Sequence, residues 1–299
     1  MQSQVVRPFP KSAQLSRRPI TIERLKKVSI RLLLWLIALM AILVSIIPFI
    51  WILLTSFKTP TDVFQYPPRW IFQPTLDNYR VIFFGKGMNF SLAFENSAVV
   101  TGASTAISVA LGSLASYSLA RLPLPGKRPF SYFVLFTRML PTIALMIPLY
   151  ILLTQARLFD TRLGLIIVYT AFNIPLVIWL LRGFFADFPL ELEECAMIDG
   201  ASRFGAFLRI TLPATAPGLA AAAVFSAFWI WNDFILAFLF TQDKAVTLIV
   251  LASRFMEEEG VKWGQVGAAS VIAVLPIFLF SILIQGYLTH GLLAGSIKG

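Results

Sequence analysis

Long runs of apolar residues separated by short polar stretches dominate this chain. Six of these runs are long enough to be membrane spans: 32–54, 96–120, 130–153, 163–185, 214–240 and 267–288. A helix needs roughly 20 residues to cross the apolar core of a bilayer, which is about 30 Å thick. The pattern therefore predicts an all-α integral membrane protein with six transmembrane helices.

Most of the predicted helices also carry residues that a simple membrane anchor would not need. Prolines and one asparagine interrupt four of them: Pro141 and Pro148 in the third, Asn173 and Pro175 in the fourth, Pro217 in the fifth and Pro276 in the sixth. Such helices depend on their neighbours to satisfy the freed backbone groups. The second helix is rich in glycine, alanine and serine, which let helices approach closely in lipid. We therefore expect a packed bundle.

The composition supports a membrane protein and excludes several other classes. Of the 299 residues, 58% are hydrophobic and 13% are charged, and the mean hydropathy is +0.78. The net charge of +10 could suggest a nucleic-acid partner, but the basic residues lie around the predicted spans. Orientation in the membrane and contact with anionic lipid head groups explain them better than nucleic acid does. The single cysteine, Cys195, excludes an internal disulfide.

Lys and Arg are distributed unequally between the two sides of the predicted membrane. Six spans place 15 of these residues on the side of the N-terminus and nine on the other side, with Arg138 inside the membrane. The positive-inside rule therefore places both termini in the cytoplasm. The predicted organisation is a cytoplasmic tail over 1–31, a first transmembrane helix over 32–56, an external loop over 57–95, a core with five transmembrane helices over 96–288 and a cytoplasmic tail over 289–299.

The longest polar stretch inside the core is the loop 187–213, between the fourth and fifth spans. Pro189 can open a short helix with glutamates in its first turn, where carboxylates favour the positive end of the helix dipole. Asp199-Gly200 should end this helix, and a second helix can begin at Ser202 as its N-cap. The second helix would face the bundle with one apolar stripe, comprising Phe204, Phe207, Leu208 and Thr211.

This loop also carries a family signature. Glu194, Ala196, Gly200, Ile210, Leu212 and Pro213 stand at the spacing E-x-A-x3-G-x9-I-x-L-P. The pattern resembles the cytoplasmic coupling loop of the permease subunits of binding-protein-dependent ATP-binding-cassette importers. Cys195 departs from it, since the family usually has alanine there, but the two side chains are similar in size. The closing residues 291–299 resemble those of the maltose-type carbohydrate permeases.

The resemblance implies a fold, a function and a set of partners. The fold would be the six-helix ABC importer permease type with a cytoplasmic coupling-helix loop, in the bacterial inner membrane. The chain would be one of two unlike permeases in a carbohydrate importer, with two cytoplasmic ATPases and an external substrate-binding protein. The residues implied to couple to the ATPase are Glu194, Ala196, Asp199, Gly200, Ala201, Phe204, Ile210, Leu212 and Pro213.

The chain is not expected to be an enzyme or to bind a cofactor itself. It has no G-x4-G-K-[ST] phosphate-binding motif, because Arg121 stands where Gly126-Lys127 would need an earlier glycine. ATP and Mg²⁺ would therefore be used by the partner ATPase. The only histidine, His290, lies beyond the last span without a cysteine or carboxylate nearby in sequence, which predicts no metal site.

Polar residues inside the spans are the candidates for the substrate pathway. Trp229, Asn232 and Asp233 lie together in the fifth span, where aromatic faces beside an amide and a carboxylate could hold a sugar. An interfacial aromatic belt with a structural polar cap explains them equally well. Asn173 is a further candidate. Arg138 could be a pathway-lining partner of Asp233, form a structural ion pair with it, or lie nearer the cytoplasmic face than the predicted span allows.

Two other functions and two surface features stay open. A six-span secondary transporter would need no ATPase, but no internal repeat of the kind such transporters use is evident. An intramembrane enzyme would need a convergent catalytic set, which Arg138 and Asp233 do not form. The acidic run Glu257–Glu259 is either solvated surface in an outer loop or a docking patch for a binding protein. The tail 292–299 is predicted to be flexible and to reach the interface between the two ATPases.

Overall fold

The computed structural model describes residues 22–85, 89–257 and 260–296. The chain divides into two units, Met1–Trp51 and Ile52–Gly299. Helix α1 covers Ile22–Ser56, so it begins in the first unit and ends in the second. The predicted tail 1–31 is therefore helical from Ile22 onward. All of the packing described below lies within the second unit.

The second unit is helical apart from one short hairpin in its described residues. Its helices are α2 (Pro60–Val63), α3 (Asp77–Phe84), α4 (Phe90–Arg121), α5 (Lys127–Thr137), α6 (Thr142–Gln155), α7 (Arg162–Asp187), α8 (Leu190–Ile198), α9 (Arg203–Ala206), a π-helical turn (Phe207–Thr211), α10 (Leu212–Ala214), α11 (Ala216–Asn232), α12 (Ile235–Phe240), α13 (Leu248–Ser253) and α14 (Trp263–Ser296). Strand β1 (Met256–Glu257) pairs antiparallel with β2 (Gly260–Val261). The predicted all-α class is confirmed.

Helices long and apolar enough to cross a membrane number four in the described residues, or six if two bent pairs each count as one span. The long helices cover Ser29–Ser56, Phe90–Arg121, Arg162–Asp187 and Trp263–Ile282. The pair α5 and α6 bends by 87°, and the pair Arg203–Ala214 and Ala216–Asn232 bends by 76°. The predicted number of spans therefore agrees with the upper count.

Two of the predicted spans differ from the observed helices. The segment 130–153 is not one helix, because α5 ends before Arg138 and α6 starts after Pro141. A proline cannot donate a backbone hydrogen bond and disfavours the helical conformation of the residue before it. The segment 214–240 breaks at Asp233, whose extended backbone ends α11 and whose carboxylate accepts from the first amides of α12.

Helices α4 and α7 pack along a ridge of small residues that recurs every four positions. Ser104, Ser108 and Ser116 donate to the carbonyl oxygens of Ile166, Thr170 and Ile178 at 3.4, 3.5 and 3.2 Å. A Cβ atom at Gly112 would come within 2.5 Å of Val177 Cγ1, so the ridge has no room for a side chain there. The small residues of the second predicted span therefore serve close helix packing, as expected.

These contacts also fix the directions of the helices. Residue numbers rise together along α4 and α7, so the two helices run parallel. The chain between Arg121 and Arg162 must return across the bundle, which makes α5 and α6 one crossing. Along α7 and α11 the numbers run oppositely, because Gly218 lies against Phe184 and Trp229 against Phe172. Helix α11 therefore crosses back.

The bundle consequently has two distinct ends. The Arg121 end holds the C-termini of α4 and α7, the segment 188–215 and the start of α11. The Asn96 end holds the start of α4, the turn between α6 and α7 and the loop 241–248. There Asn96 Nδ2 donates to the carbonyl oxygens of Lys244 and Val246 at 3.0 and 2.9 Å, and Ser97 Oγ accepts from the amide of Leu248 at 2.8 Å.

Asp160 holds the loop at the Asn96 end in place. This residue has φ 55°, and its carboxylate accepts hydrogen bonds from four consecutive amides, those of Gln242, Asp243, Lys244 and Ala245. Burial alone would raise the pKa of the Asp160 carboxyl, but the four amide donors lower this pKa below its ordinary value of 3.8. The charged carboxylate is therefore part of the loop's structure.

Candidate functional site

The segment 188–215 at the Arg121 end contains the family signature, and its first half is a short helix with a defined stop. Helix α8 is followed by Gly200, which has φ +92°. The amide of Gly200 donates to Met197 O at 3.1 Å and the amide of Ala201 donates to Ala196 O at 3.0 Å. This is the hydrogen-bond pattern of a Schellman motif, which requires a left-handed residue at the glycine position. The helix ends where Asp199-Gly200 predicts.

The second half of the segment begins as predicted and then departs from a regular helix. Ser202 Oγ accepts from the amide of Gly205 at 3.1 Å, which is the expected N-cap. After α9 the chain forms a π-helical turn over Phe207–Thr211 and then bends by 76° where α10 meets α11. Pro213 lies in this bend and cannot donate a helical hydrogen bond.

The side of α8 that faces the bundle is held by a buried carboxylate. Glu193 is 2% exposed, and its Oε1 lies 3.2 Å from Arg121 Nε at the end of α4. The hydroxyl of Tyr117, one turn earlier on α4, donates to Glu193 Oε2 at 2.7 Å. Arg121 also donates to the carbonyl oxygen of Phe188 and lies over the Phe188 ring, 6.0 Å from its centroid. We call Tyr117, Arg121 and Glu193 the anchor cluster.

Aromatic packing holds the second half of the segment. The ring of Phe207 lies 4.5 Å from that of Tyr117 and 6.0 Å from that of Phe185. Phe207 and Thr211 are buried, but Phe204 and Leu208 are 59% and 43% exposed. The predicted four-residue stripe is therefore half wrong, because the π-helical turn changes the spacing from that of an α-helix.

Outside these contacts, the segment exposes a mixture of apolar and acidic side chains. Its large apolar residues and their exposed fractions are Ile198 at 85%, Phe204 at 59%, Leu192 at 50%, Leu190 at 45% and Leu208 at 43%. Glu194, Asp199 and Gly200 are also exposed. We call these exposed residues together the exposed face. The other implied coupling residues lie nearer the bundle or in the bend: Ala196, Ala201, Ile210 and Leu212 are partly buried, and Pro213 is exposed.

Two of the pathway candidates come together beside the break between α5 and α6. The guanidinium of Arg138 lies over the ring of Trp229, 5.0 Å from its centroid. Arg138 Nη1 donates to the carbonyl oxygen of Phe172 at 2.9 Å, in the turn before Pro175. Both side chains line a cleft of about 520 Å³, together with Thr137, Thr142 and Phe172. The cleft combines a cation, hydroxyls and aromatic faces.

Asp233 has a structural role in this arrangement. Its Oδ2 accepts from the hydroxyl of Tyr169 at 3.0 Å and from the amide of Leu236 at 2.9 Å, which starts α12. The ion pair expected between Arg138 and Asp233 does not form, because Arg138 turns to Phe172 and Trp229. The structural alternative for Asp233 is therefore the better supported one.

The two asparagine candidates are not drawn into the cleft. Asn232 is exposed, and its Nδ2 donates to the carbonyl oxygen of Phe228 at 2.8 Å. Asn173 is fully buried within α7 and donates to Tyr169 O at 3.2 Å. Neither residue lines the cleft of Arg138 and Trp229.

A second, larger cleft of about 630 Å³ lies between α4, α11 and α14. Alanine, glycine, valine and leucine side chains form most of its wall, with Thr101, Thr105 and Ser113 as its polar members. A carbohydrate needs many hydrogen-bonding partners in a site from which water is removed. The larger cleft is therefore the poorer candidate for a sugar.

Comparison with known proteins identifies the family. Residues 108–293 match the family described as the binding-protein-dependent transport system inner membrane component. The chain belongs to this family. The match begins inside α4 and includes the anchor cluster, the segment 188–215 and the cleft of Arg138 and Trp229. The family resemblance drawn from the sequence is confirmed.

Similar proteins and one structure extend the match beyond this region. The chain is 36% identical over 255 residues to a probable ABC transporter permease protein, y4oR of Sinorhizobium fredii, covering 85% of this chain and 91% of that protein. It is 35% identical to the trehalose/maltose transport system permease protein MalG of Thermococcus litoralis, covering 90% and 97%. A bacterial ABC transporter involved in alginate import shares the fold, with TM-score 0.71 and 22% identity over 94% of this chain and 99% of that one.

Sequence reasoning missed the residues that hold the site. It chose Glu194 from the signature and passed over Glu193, which is the buried carboxylate. Tyr117 and Arg121 lie four residues apart at the end of an apolar helix, and this spacing places both on one face. That pair of polar side chains was the available signal for a carboxylate partner.

Proposed function

We propose that this chain is one of two unlike permease subunits of an ATP-driven importer for a carbohydrate, meaning a sugar, an oligosaccharide or a sugar derivative. Family membership supports the transport function, and the likeness to permeases of named sugar transport systems supports the substrate class. The second permease, two cytoplasmic ATPases and an external substrate-binding protein would complete the machine. Membrane lipid would surround it, and no nucleic acid is involved.

The observation that carries this proposal is the exposed face of the segment 188–215. An exposed patch of large apolar side chains with a polar rim marks a protein-binding surface. Here Ile198, Phe204 and Leu192 supply the apolar part, and Glu194 and Asp199 supply the charge. A cleft in the ATPase with apolar walls and a basic residue would fit this surface. The anchor cluster holds the other side to the bundle, so a push on the exposed face moves the helices.

Orientation follows from the same assignment. If the ATPase binds the exposed face, the Arg121 end lies in the cytoplasm and the Asn96 end lies outside. The unequal distribution of Lys and Arg in the sequence favours this orientation independently. Both termini would then be cytoplasmic. Helix α14 continues through Ser296, so the predicted flexible tail is helical over most of its length, and 297–299 lie outside the described residues.

The cleft of Arg138 and Trp229 is the proposed contribution of this subunit to the pathway. Arginine donates to hydroxyl or carboxylate oxygens, and an aromatic ring presents an apolar face to a sugar ring. The second permease would supply the rest of the binding site. This chain would bind no cofactor, because ATP and Mg²⁺ would act on the ATPase subunits.

The proposal is tested by purifying the complex from cells that express the whole transporter. The ATPase should copurify with the chain, and ATP hydrolysis should rise when the binding protein carries its sugar. Glu194→Lys should reduce the amount of bound ATPase, because a cation would meet the basic partner that a carboxylate fits. Normal ATPase binding and transport by Glu194→Lys would contradict the docking assignment.

A further inference from the structure

We infer that Glu193 is the positioning residue that joins the coupling segment to α4, and that α4 transmits the movement of this segment to the loop 241–248 at the opposite end of the bundle. The inference rests on the proposed function, since it concerns the response to a bound ATPase. The movement would pass through the anchor cluster into α4. The carboxylate of this cluster, Glu193, is not one of the signature positions.

The joint between α8 and α4 is polar and buried. Arg121 holds the segment at two points, because it pairs with Glu193 on α8 and donates to the carbonyl oxygen of Phe188 before it. The side chains of Arg121 and Glu193 are 10% and 3% exposed. An ion pair with so little water around it is screened weakly and depends strongly on geometry. Helix α8 is therefore joined to α4 by the hydrogen bond from Tyr117 and by the two contacts of Arg121.

The contacts of Phe207 and the covalent connection to α11 differ from this joint. Phe207 packs on the rings of Tyr117 and Phe185 through apolar surfaces, which have no preferred direction. The covalent route to α11 passes through a π-helical turn and a 76° bend. A movement of α8 therefore reaches α4 more directly than it reaches α11.

Helix α4, which would receive the movement, is long and has no interior proline. Helix α4 has 32 residues, so it is about 48 Å long at 1.5 Å per residue. Of the four long helices in the described residues, α1, α7 and α14 each contain an interior proline, and α4 does not. Prolines are the commonest cause of sharp bends in helices. Helix α4 is therefore one continuous helix without an interior proline, along which a displacement of one end can reach the other.

The far end of α4 is hydrogen-bonded to the loop 241–248. Asn96 donates to the carbonyl oxygens of Lys244 and Val246, and Ser97 accepts from the amide of Leu248. These three hydrogen bonds tie the start of α4 to the loop 241–248. A shift of α4 along or about its axis therefore displaces this loop. The same helix has a polar joint at each end, and its small-residue ridge against α7 lies between them.

The test places a fluorescent thiol reagent on Gln242→Cys, an exposed loop position, in a Cys195→Ala chain assembled with its partners in lipid nanodiscs. Adding Mg-ATP should change the fluorescence of this otherwise unaltered complex. Glu193→Gln should reduce this change at least fivefold while the ATPase stays bound. Asp77→Asn is the matched control, because it makes a carboxylate-to-amide change at an exposed position at the start of α3, outside the coupling loop. The control should respond like the unaltered complex.

The double variant Glu193→Gln with Arg121→Gln guards against misfolding, because it leaves no unpaired buried charge. It should bind the ATPase normally and respond as weakly as the single variant. An unaltered response in either variant would overturn the inference and leave the proposed function intact. Loss of ATPase binding by the double variant would also overturn it, because the cluster would then only support the docking surface. Failure of the unaltered complex to bind any ATPase would overturn the proposed function as well.

Discussion

Substitutions of Gly200 separate backbone strain from contact with a partner. Gly200 has φ +92°, and apart from its two chain neighbours a Cβ atom built there meets no atom of the described residues within 4 Å. An alanine would therefore cost only the backbone strain of a left-handed residue, about 1–2 kcal/mol. A leucine should cost the chain about as much as an alanine, since Gly200 is exposed and its Cβ position is open. Asparagine tolerates this backbone better than either and should cost the least.

The stability of the isolated chain and its response to the ATPase should therefore diverge. In detergent, Gly200→Ala and Gly200→Leu should lower the melting temperature equally, by a few degrees at the roughly 2–4 °C expected per kcal/mol. In the assembled complex, Gly200→Leu should lose far more transport and stimulated ATP hydrolysis than Gly200→Ala, because its side chain meets the docked partner. Equal transport by the two variants would refute close approach at this position. A much lower melting temperature for Gly200→Leu than for Gly200→Ala would show that this chain has no open space for the leucine side chain.

Three further predictions concern other parts of the structure. Gly112→Ala should destabilise the chain by about 1–3 kcal/mol through overlap with Val177, whereas Gly102→Ala on the same helix, where an added Cβ meets no described residue of another element within 4 Å, should not; thermal unfolding in detergent measures both. The pKa of Asp160 is lower in the folded chain than its ordinary value of 3.8, so its stabilisation is present above that pH and lost as the pH falls through the folded-state value. The protection of the four amides against hydrogen exchange, taken relative to the intrinsic rate at each pH, should therefore fall in acid, and Asp160→Asn should show low protection already at neutral pH. Arg138→Gln should reduce transport by roughly 10- to 100-fold, as for loss of a charged hydrogen bond worth about 1.5–3 kcal/mol, with assembly and basal ATP hydrolysis unchanged.

Local features of the coupling segment were predictable because short-range rules determine them. A glycine after a short helix takes the left-handed conformation, so Asp199-Gly200 marked the stop. Ser202 marked the next start because its hydroxyl can accept from a free amide three residues on. The number of spans followed from the length of the apolar runs, because each run must satisfy its own backbone in lipid.

Features that depend on distant partners were not predictable in the same way. Three glutamates lie within four positions of α8, and the one that is buried is decided by Arg121, which lies on another helix. Arg138 was expected to pair with Asp233, but a carbonyl oxygen near Pro175 and the ring of Trp229 hold it instead. Apolar length alone also could not reveal that α5 and α6 meet at 87°.

The central claim is that the exposed face of the segment 188–215 binds a cytoplasmic ATPase, and the only cysteine of the chain reports on it directly. Cys195 is exposed on α8, next to Glu194. In inside-out membrane vesicles, a membrane-impermeant thiol reagent should label Cys195 after the ATPase has been stripped from the membrane. Labelling, followed on this chain by mass spectrometry, should be blocked when the ATPase is bound. Equal labelling with and without the ATPase, or labelling only from the outer side of the membrane, would contradict the account.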